Sequence, residues 1–266
     1  MSAFSVERDG SVAIVTMVGP FMGLDFFTEL PRVFRDLDAD ESVRAIVIAG
    51  NGTNFSFGLD LKDVAPLFLP LTTGDTSASA RTAVLAQVRE WQASITAVAD
   101  CRTPIISAID GWCIGGGIDL VAATDIRLAT ASAKFSVRET KVAIVADLGS
   151  LQRLVGIIGD GHLRELALTG GDIDAERAAR IGLVNEVYAT ATELRQAAIT
   201  MARAIAANSP LVLRGVKDVL DAERAPRVEA GLRYVATWNA AFLPSRDLGE
   251  AFASFAERRP AEFIGD

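Results

Sequence analysis

Histidine and cysteine are almost missing from this chain, which holds one histidine, His162, and two cysteines, Cys101 and Cys113, in 266 residues. The cysteines lie twelve positions apart with no CxxC pattern, and His162 completes no ligand set with them. That scarcity excludes a Cys/His metal cluster and a disulfide framework, and it leaves both thiols expected as buried and free. Long hydrophobic runs are missing too. Asp110, Asp119 and Arg127 interrupt the longest ones well short of the roughly 18 residues a membrane-spanning helix needs. The opening MSAFSVERDG sets Glu7, Arg8 and Asp9 where a secretory leader needs its apolar stretch, so a cytoplasmic protein is expected. Positive charge is in deficit, with 26 basic against 34 acidic residues and a net charge of -8. That balance disfavours capture of nucleic acid or an anionic membrane, so neither is expected as a partner, and an anionic ligand needs a local basic patch.

What remains is a globular composition, half apolar and 23% charged, in a chain long enough for a large core. Val12–Met17 and Ala45–Ala49 are short apolar runs without polar alternation, as expected of strands covered on both faces. Between them Phe27, Leu30, Val33, Phe34 and Leu37 recur at helical spacing, with Pro31 tolerable only near a first turn. Strand, helix, strand points to an α/β architecture. A long helix is expected from about Ala80 to Ala99, carried by Val84, Val88, Trp91, Ile95 and Val98. Further strands are expected at Ile105–Ile109, Asp125–Ala129, Lys134–Val137 and Val184–Tyr188. The segment 66–79, rich in Pro, Thr, Ser and Gly, reads as an exposed and mobile connection. From Thr192 onward the pattern is helical, with breaks at Ser209-Pro210, Ala225-Pro226 and Leu243-Pro244.

The chemistry concentrates between Gly115 and Asp147, GGGIDLVAATDIRLATASAKFSVRETKVAIVAD. Gly115, Gly116 and Gly117 stand where a strand should become a helix. Glycines there let backbone approach a ligand and leave N–H groups aimed at it, at the positive end of the helix dipole. The run is neither a GxGxxG nor a Walker loop, and no GxSxG elbow exists in the chain. Asp119, Glu139 and Asp147 follow. Close packing of glycines beside solvated acids remains the plain alternative to an oxyanion site with proton-carrying groups.

In combination, FSFGLDLK at 55–62, CIGGGIDLV at 113–121 and the acids at 139 and 147 resemble the enoyl-CoA hydratase/isomerase family, the crotonases. The resemblance spans nearly the whole chain. It implies an α/β, ClpP-like spiral of ββα units over residues 1–191 and a C-terminal helical trimerisation region over 192–266, in a homotrimer or homohexamer. It also implies an acyl-CoA thioester substrate, with coenzyme A entering as part of that substrate and no separate cofactor or metal. Two backbone N–H groups, those of Leu59 and Gly116, match the family's oxyanion hole. Lys62 matches a position near the CoA moiety, and Gly115 and Gly117 line the same turn. Asp119 stands where hydratases carry a glutamate, and Asp147 where they carry no acid. That pattern, with YVATWN at 234–239, resembles the Δ3,5-Δ2,4-dienoyl-CoA isomerases, whose three active-site acids match Asp119, Glu139 and Asp147.

Moving two double bonds from the 3,5 to the 2,4 positions requires removing a proton at the α carbon and adding one at the ε carbon. Two separated proton carriers suit that chemistry, with Glu139 as base, Asp147 as acid, and Asp119 tuning Glu139 or serving structure. Carboxylates crowded in an apolar pocket are expected to have raised pKa values. The rival readings are an enoyl-CoA hydratase using Asp119 and Glu139 to activate water, a thioesterase sharing the oxyanion hole, and a non-catalytic crotonase-like binding protein.

Overall fold

The computed structural model of the chain describes residues 2–72 and 77–266, the side chains of 65 and 68–72 excepted. Unbroken apolar runs become strands of a mostly parallel sheet, because only there are both faces covered. Phe4–Asp9 (β1) and Val12–Met17 (β2) form a hairpin about Gly10, whose φ of 59° meets the turn's need for a left-handed residue. From β2 the chain repeats one turn of a spiral: a strand in the main sheet, a short strand in a second layer, then a helix. β2 leads to Phe21–Met22 (β3) and Leu24–Ala39 (α1). Ala45–Gly50 (β4) leads to Gly58–Leu59 (β5), Leu61–Thr72 (α2) and the long Ala78–Ala99 (α3). Ile105–Ile109 (β6) leads to Trp112–Ile114 (β7) and Gly116–Ala122 (α4). Ile126–Thr130 (β8) leads to Lys134–Ser136 (β9) and a single 3-10 turn, Glu139–Val142.

The remainder is mainly helical. It comprises Ser150–Arg153 (α5), Val155–Thr169 (α6), Ile173–Asp174 (β10), Ala175–Arg180 (α7), Glu186–Tyr188 (β11), Ala191–Ala206 (α8), Pro210–Asp221 (α9), Arg224–Phe242 (α10) and Arg246–Glu257 (α11). The main sheet has the order β1-β2-β4-β6-β8-β11 and is parallel apart from β1. The second layer runs β10-β9-β7 and continues to β5 and β3 through a bridge between Ser56 and Cys113. The large core fills the space between the layers and under α1 and α3. The other face of the main sheet is closed by α8, whose Leu194, Ala198, Ala202 and Ala206 recur every fourth residue against Val12, Val47 and Ile106. The spiral fixes the site: the equivalent points β5-to-α2, β7-to-α4 and β9-to-3-10 turn carry Leu59, Gly116 and Glu139.

The strands and the long helix fall where the sequence places them, within one or two residues at their ends. Both cysteines are buried and free, as expected. Three points differ. The β1 strand escaped the periodicity reading, although Asp9-Gly10 is a hairpin signal. Pro31 sits in the interior of α1, not in its first turn; the lost backbone donor is offset by burial of Phe26, Phe27, Leu30, Phe34 and Leu37. The expected mobile connection at 66–79 is helical up to Thr72 and again from Ala78, while 73–76 lie outside the described residues. Asp60 explains the helix start, since its Oδ1 accepts from the N–H groups of Lys62 at 3.0 Å and Asp63 at 3.3 Å as an N-cap does. Asp63 in turn accepts from Leu24 N at 2.7 Å and so caps α1. Among the described residues no helix is long and apolar enough to cross a membrane.

Candidate active site

One side of the site is made of backbone. β7 ends at Ile114 and is followed by Gly115, whose φ of 54° and ψ of -124° suit glycine alone. Its N–H donates to Ser136 O at 3.1 Å, and its carbonyl accepts from Ile118 N and Asp119 N at 2.8 and 3.3 Å. α4 therefore begins at Gly116, a first-turn N–H that the helix itself leaves unpaired. Gly58 lies alongside with φ +80°, and a Cβ there would stand 3.1 Å from Gly116 N. A Cβ on Gly116 would stand 3.9 Å from Leu59 N and 2.9 Å from Met22 Sδ, so both backbone nitrogens share one small space. Gly117 serves packing, since a Cβ there would press on Ser56 at 2.9 Å. Gly58 was not singled out in the sequence, yet its position between the two strand ends is what lets them meet.

The other side is made of acids. Glu139 opens the 3-10 turn and reaches back over the glycines, where a Cβ on Gly115 would lie 3.7 Å from its Oε1. Its Oε2 is buried and has no hydrogen-bond partner among the described residues. Burial first, then the negative charges of Asp119 and Asp147, push its pKa up to about 8. Asp119, in the first turn of α4, is 1% exposed and accepts from Ser150 N at 2.5 Å. Burial raises it to about 6, while the Ser150 donor and the nearby Arg153 cation hold it below that of Glu139. Asp147 is pushed up to about 7 by burial, with a hydrogen bond from Asn239 pulling against that and Asp119 adding to it. The three acids thus act on one another electrostatically, as their crowding in the sequence implied. Lys62 is not among them: it stands exposed on the first turn of α2.

Sequence reasoning missed the groups that hold the acids in place. Asn239 on α10 is 2% exposed; its Nδ2 donates to Asp147 Oδ2 at 2.6 Å and to Val145 O at 2.9 Å. Gln92 on α3 donates through Nε2 to Asp147 O at 2.7 Å and to Leu232 O of α10 at 3.0 Å. Arg153 is buried, donating to Leu148 O at 3.1 Å and Thr96 Oγ1 at 3.0 Å. Its guanidinium fills the space beside Gly149, whose φ of +130° also excludes other residues. A signal existed for two of these. Gln92 and Asn239 are polar residues on the buried faces of amphipathic helices, among Val88, Trp91 and Ile95 and among Leu232, Ala236 and Ala240.

A ββα spiral whose glycine-lined strand-to-helix junctions meet beside a buried acid is the crotonase fold. A solved enoyl-CoA hydratase/isomerase from Mycobacterium paratuberculosis superposes with a TM-score of 0.83 at 28% identity, covering 96% of this chain and 98% of that one. The chain belongs to the enoyl-CoA hydratase/isomerase family, whose pattern matches residues 7–266. Among similar proteins are a mitochondrial Delta(3,5)-Delta(2,4)-dienoyl-CoA isomerase of Dictyostelium discoideum, 43% identical over 90% of this chain and 81% of that one, and a peroxisomal one of Arabidopsis thaliana, 41% identical over 91% and 87%. These names overturn the cytoplasmic expectation, since the similar enzymes are placed in mitochondria or peroxisomes. The acidic opening segment argued only against an apolar secretory leader, and organelle import does not rely on one.

Proposed function

We propose that the protein is a Δ3,5-Δ2,4-dienoyl-CoA isomerase. The observation that carries this reading is the pairing of Glu139, with an unpartnered buried Oε2, and Asp147, an acid with its own donor in Asn239. The thioester oxygen sits between the N–H groups of Leu59 and Gly116, which stabilise the negative charge that develops when the α carbon loses its proton. Glu139 takes that proton. The dienolate spreads the electron pair to the ε carbon, where Asp147 delivers a proton, and the conjugated 2,4-diene results. Atoms balance without water, and the thioester itself supplies the acidity, so the reading calls for no metal or redox cofactor.

Asp119 is held by Ser150 N at 2.5 Å. That favours a tuning role over the water-activating role a hydratase requires. Gly115 and Gly117 shape the turn that admits the thioester, and Lys62, exposed beside Leu59, meets the phosphates of CoA. Assembly into a homotrimer or homohexamer is supported by apolar side chains left open on the C-terminal helices, among them Leu211 at 81% and Val219 at 76% exposure on α9 and Trp238 and Phe242 on α10. The test is the ultraviolet absorbance of a 3,5-dienoyl-CoA solution, in which the conjugated product is expected to appear without added water-consuming steps, metal or nicotinamide. Fast hydration of a 2-trans-enoyl-CoA with no conversion of the diene would replace this reading by the hydratase.

A further inference from the structure

We propose that Asn239 is a positioning residue for Asp147: its amide holds the carboxyl group by Oδ2, so the proton that Asp147 delivers rides on Oδ1. This rests on the reading of Asp147 as the proton carrier.

The geometry removes the ambiguity of an amide's two ends. Val145 O, 2.9 Å from Asn239 Nδ2, is a backbone carbonyl and only accepts. The nitrogen therefore faces it, and the second amide hydrogen goes to Asp147 Oδ2 at 2.6 Å. Both donors are then used, and a proton on Oδ2 would collide with an N–H. Protonated Asp147 carries its hydrogen on the other oxygen, which Asn239 leaves free. The arrangement is rigid because Gln92 uses both of its amide hydrogens to tie the Asp147 carbonyl to the Leu232 carbonyl, at 2.7 and 3.0 Å. α3 and α10 thus clamp one residue between them by main chain and side chain. The titratable group acting on Asp147 is Asp119, and Asp147 in turn raises Glu139, while the Gln92 and Asn239 contacts from α3 and α10 are neutral amides and the Arg153 cation serves Asp119.

The test compares Asn239→Leu, which keeps the branched shape and loses both donors, with Asn239→Gln, which keeps the donors one methylene further out. In the unliganded protein, the carboxyl carbon-13 signal of Asp147, assigned by its absence in Asp147→Asn, is titrated with pH. A donor to the ionised form lowers a carboxyl pKa; in Asn239→Leu the midpoint is expected to rise by about one pH unit. kcat is expected to fall roughly 10- to 100-fold, within the range of a mispositioned general acid, with KM changed less than about twofold. Asn239→Gln is expected to recover part of both effects. A folded Asn239→Leu protein with an unmoved midpoint and kcat within about twofold of wild type overturns the proposal. If Asn239→Leu does not fold, Asn239→Ala, which loses both donors by truncation, is read by the same titration, and an unmoved midpoint there overturns it equally. Should wild-type protein leave 3,5-dienoyl-CoA unchanged, the functional reading fails, yet the substrate-free titration still decides the Asn239 to Asp147 bond.

Discussion

The glycine side and the acid side of the site are built on opposite principles. On the glycine side, Gly58, Gly115 and Gly116 contribute emptiness: no side chain is present, and two strand ends approach until the Leu59 and Gly116 nitrogens lie close together. Its parts come from strand-to-helix junctions that the parallel sheet already holds in place. On the acid side the side chains are the chemistry, and Glu139 and Asp147 sit on a 3-10 turn and a loop with little regular structure of its own. Their rigidity is borrowed from far along the chain, through Gln92 and Asn239. Backbone donors need room and dipole direction; buried carboxyls need partners, because an unpaired charge away from water is costly.

The contrast breaks most sharply at Glu139. Glu139→Gln is expected to lower kcat by roughly 10²- to 10⁴-fold with a near-normal KM, read in the absorbance assay. The same variant sharpens the stability side. The folded carboxyl titrates at about 8 against a usual 4.5, so the folded state keeps a proton the unfolded chain has released. Stability therefore falls as pH rises from the usual value through about 8. Thermal melts of Glu139→Gln at alkaline pH are expected to exceed those of wild type, and the gap is expected to close in acid.

Gly58→Ala attacks the other side. Its Cβ would stand 3.1 Å from Gly116 N at a backbone φ of +80°, and displacement of one oxyanion donor is expected to cost roughly 10²- to 10³-fold in kcat. The acids' pH dependence is expected to survive, which shows the two sides separable. Asp147→Asn is expected to slow isomerisation by about 100-fold while exchange of the α proton with deuterated water, followed by mass spectrometry, continues through Glu139. Loss of that exchange would make Asp147 part of the first step.

Asp119→Asn has a smaller expected cost, about tenfold at most. It removes a negative charge that raises Glu139, so the limb set by that residue is expected to move to lower pH. In the proposed mechanism, catalysis requires Glu139 ionised and Asp147 protonated, groups pushed up to about 8 and about 7. The profile of kcat/KM is expected to be a bell with limbs near those two values, falling at low pH as both hold protons and at high pH as both lose them.

How much of this was legible follows from the range of each interaction. Val12–Met17 and Ile105–Ile109 announce themselves because burial on both faces requires consecutive apolar residues. The triple glycine and the acids are contiguous enough to read as motifs. The start of segment 66–79 was misread because two prolines and the Thr, Ser and Gly that follow it coloured the whole stretch, whereas its helix is started by Asp60, just before Leu61. Asn239 stands 92 residues from Asp147, and no local pattern names its partner. What betrays it is an amide on a helix face where every neighbour is apolar.

The sequence by itself determined the alternation of strand and helix, the glycine-built junction and the identity of the acids, since each depends on residues within a few turns of one another. Only the tertiary structure decided which acid keeps an oxygen without a partner among the described residues, which is held by Ser150 N and which is gripped by Asn239. Proton affinity in a buried site depends on donors and charges within a few ångströms, and the fold gathers these from α3, α4, α5 and α10.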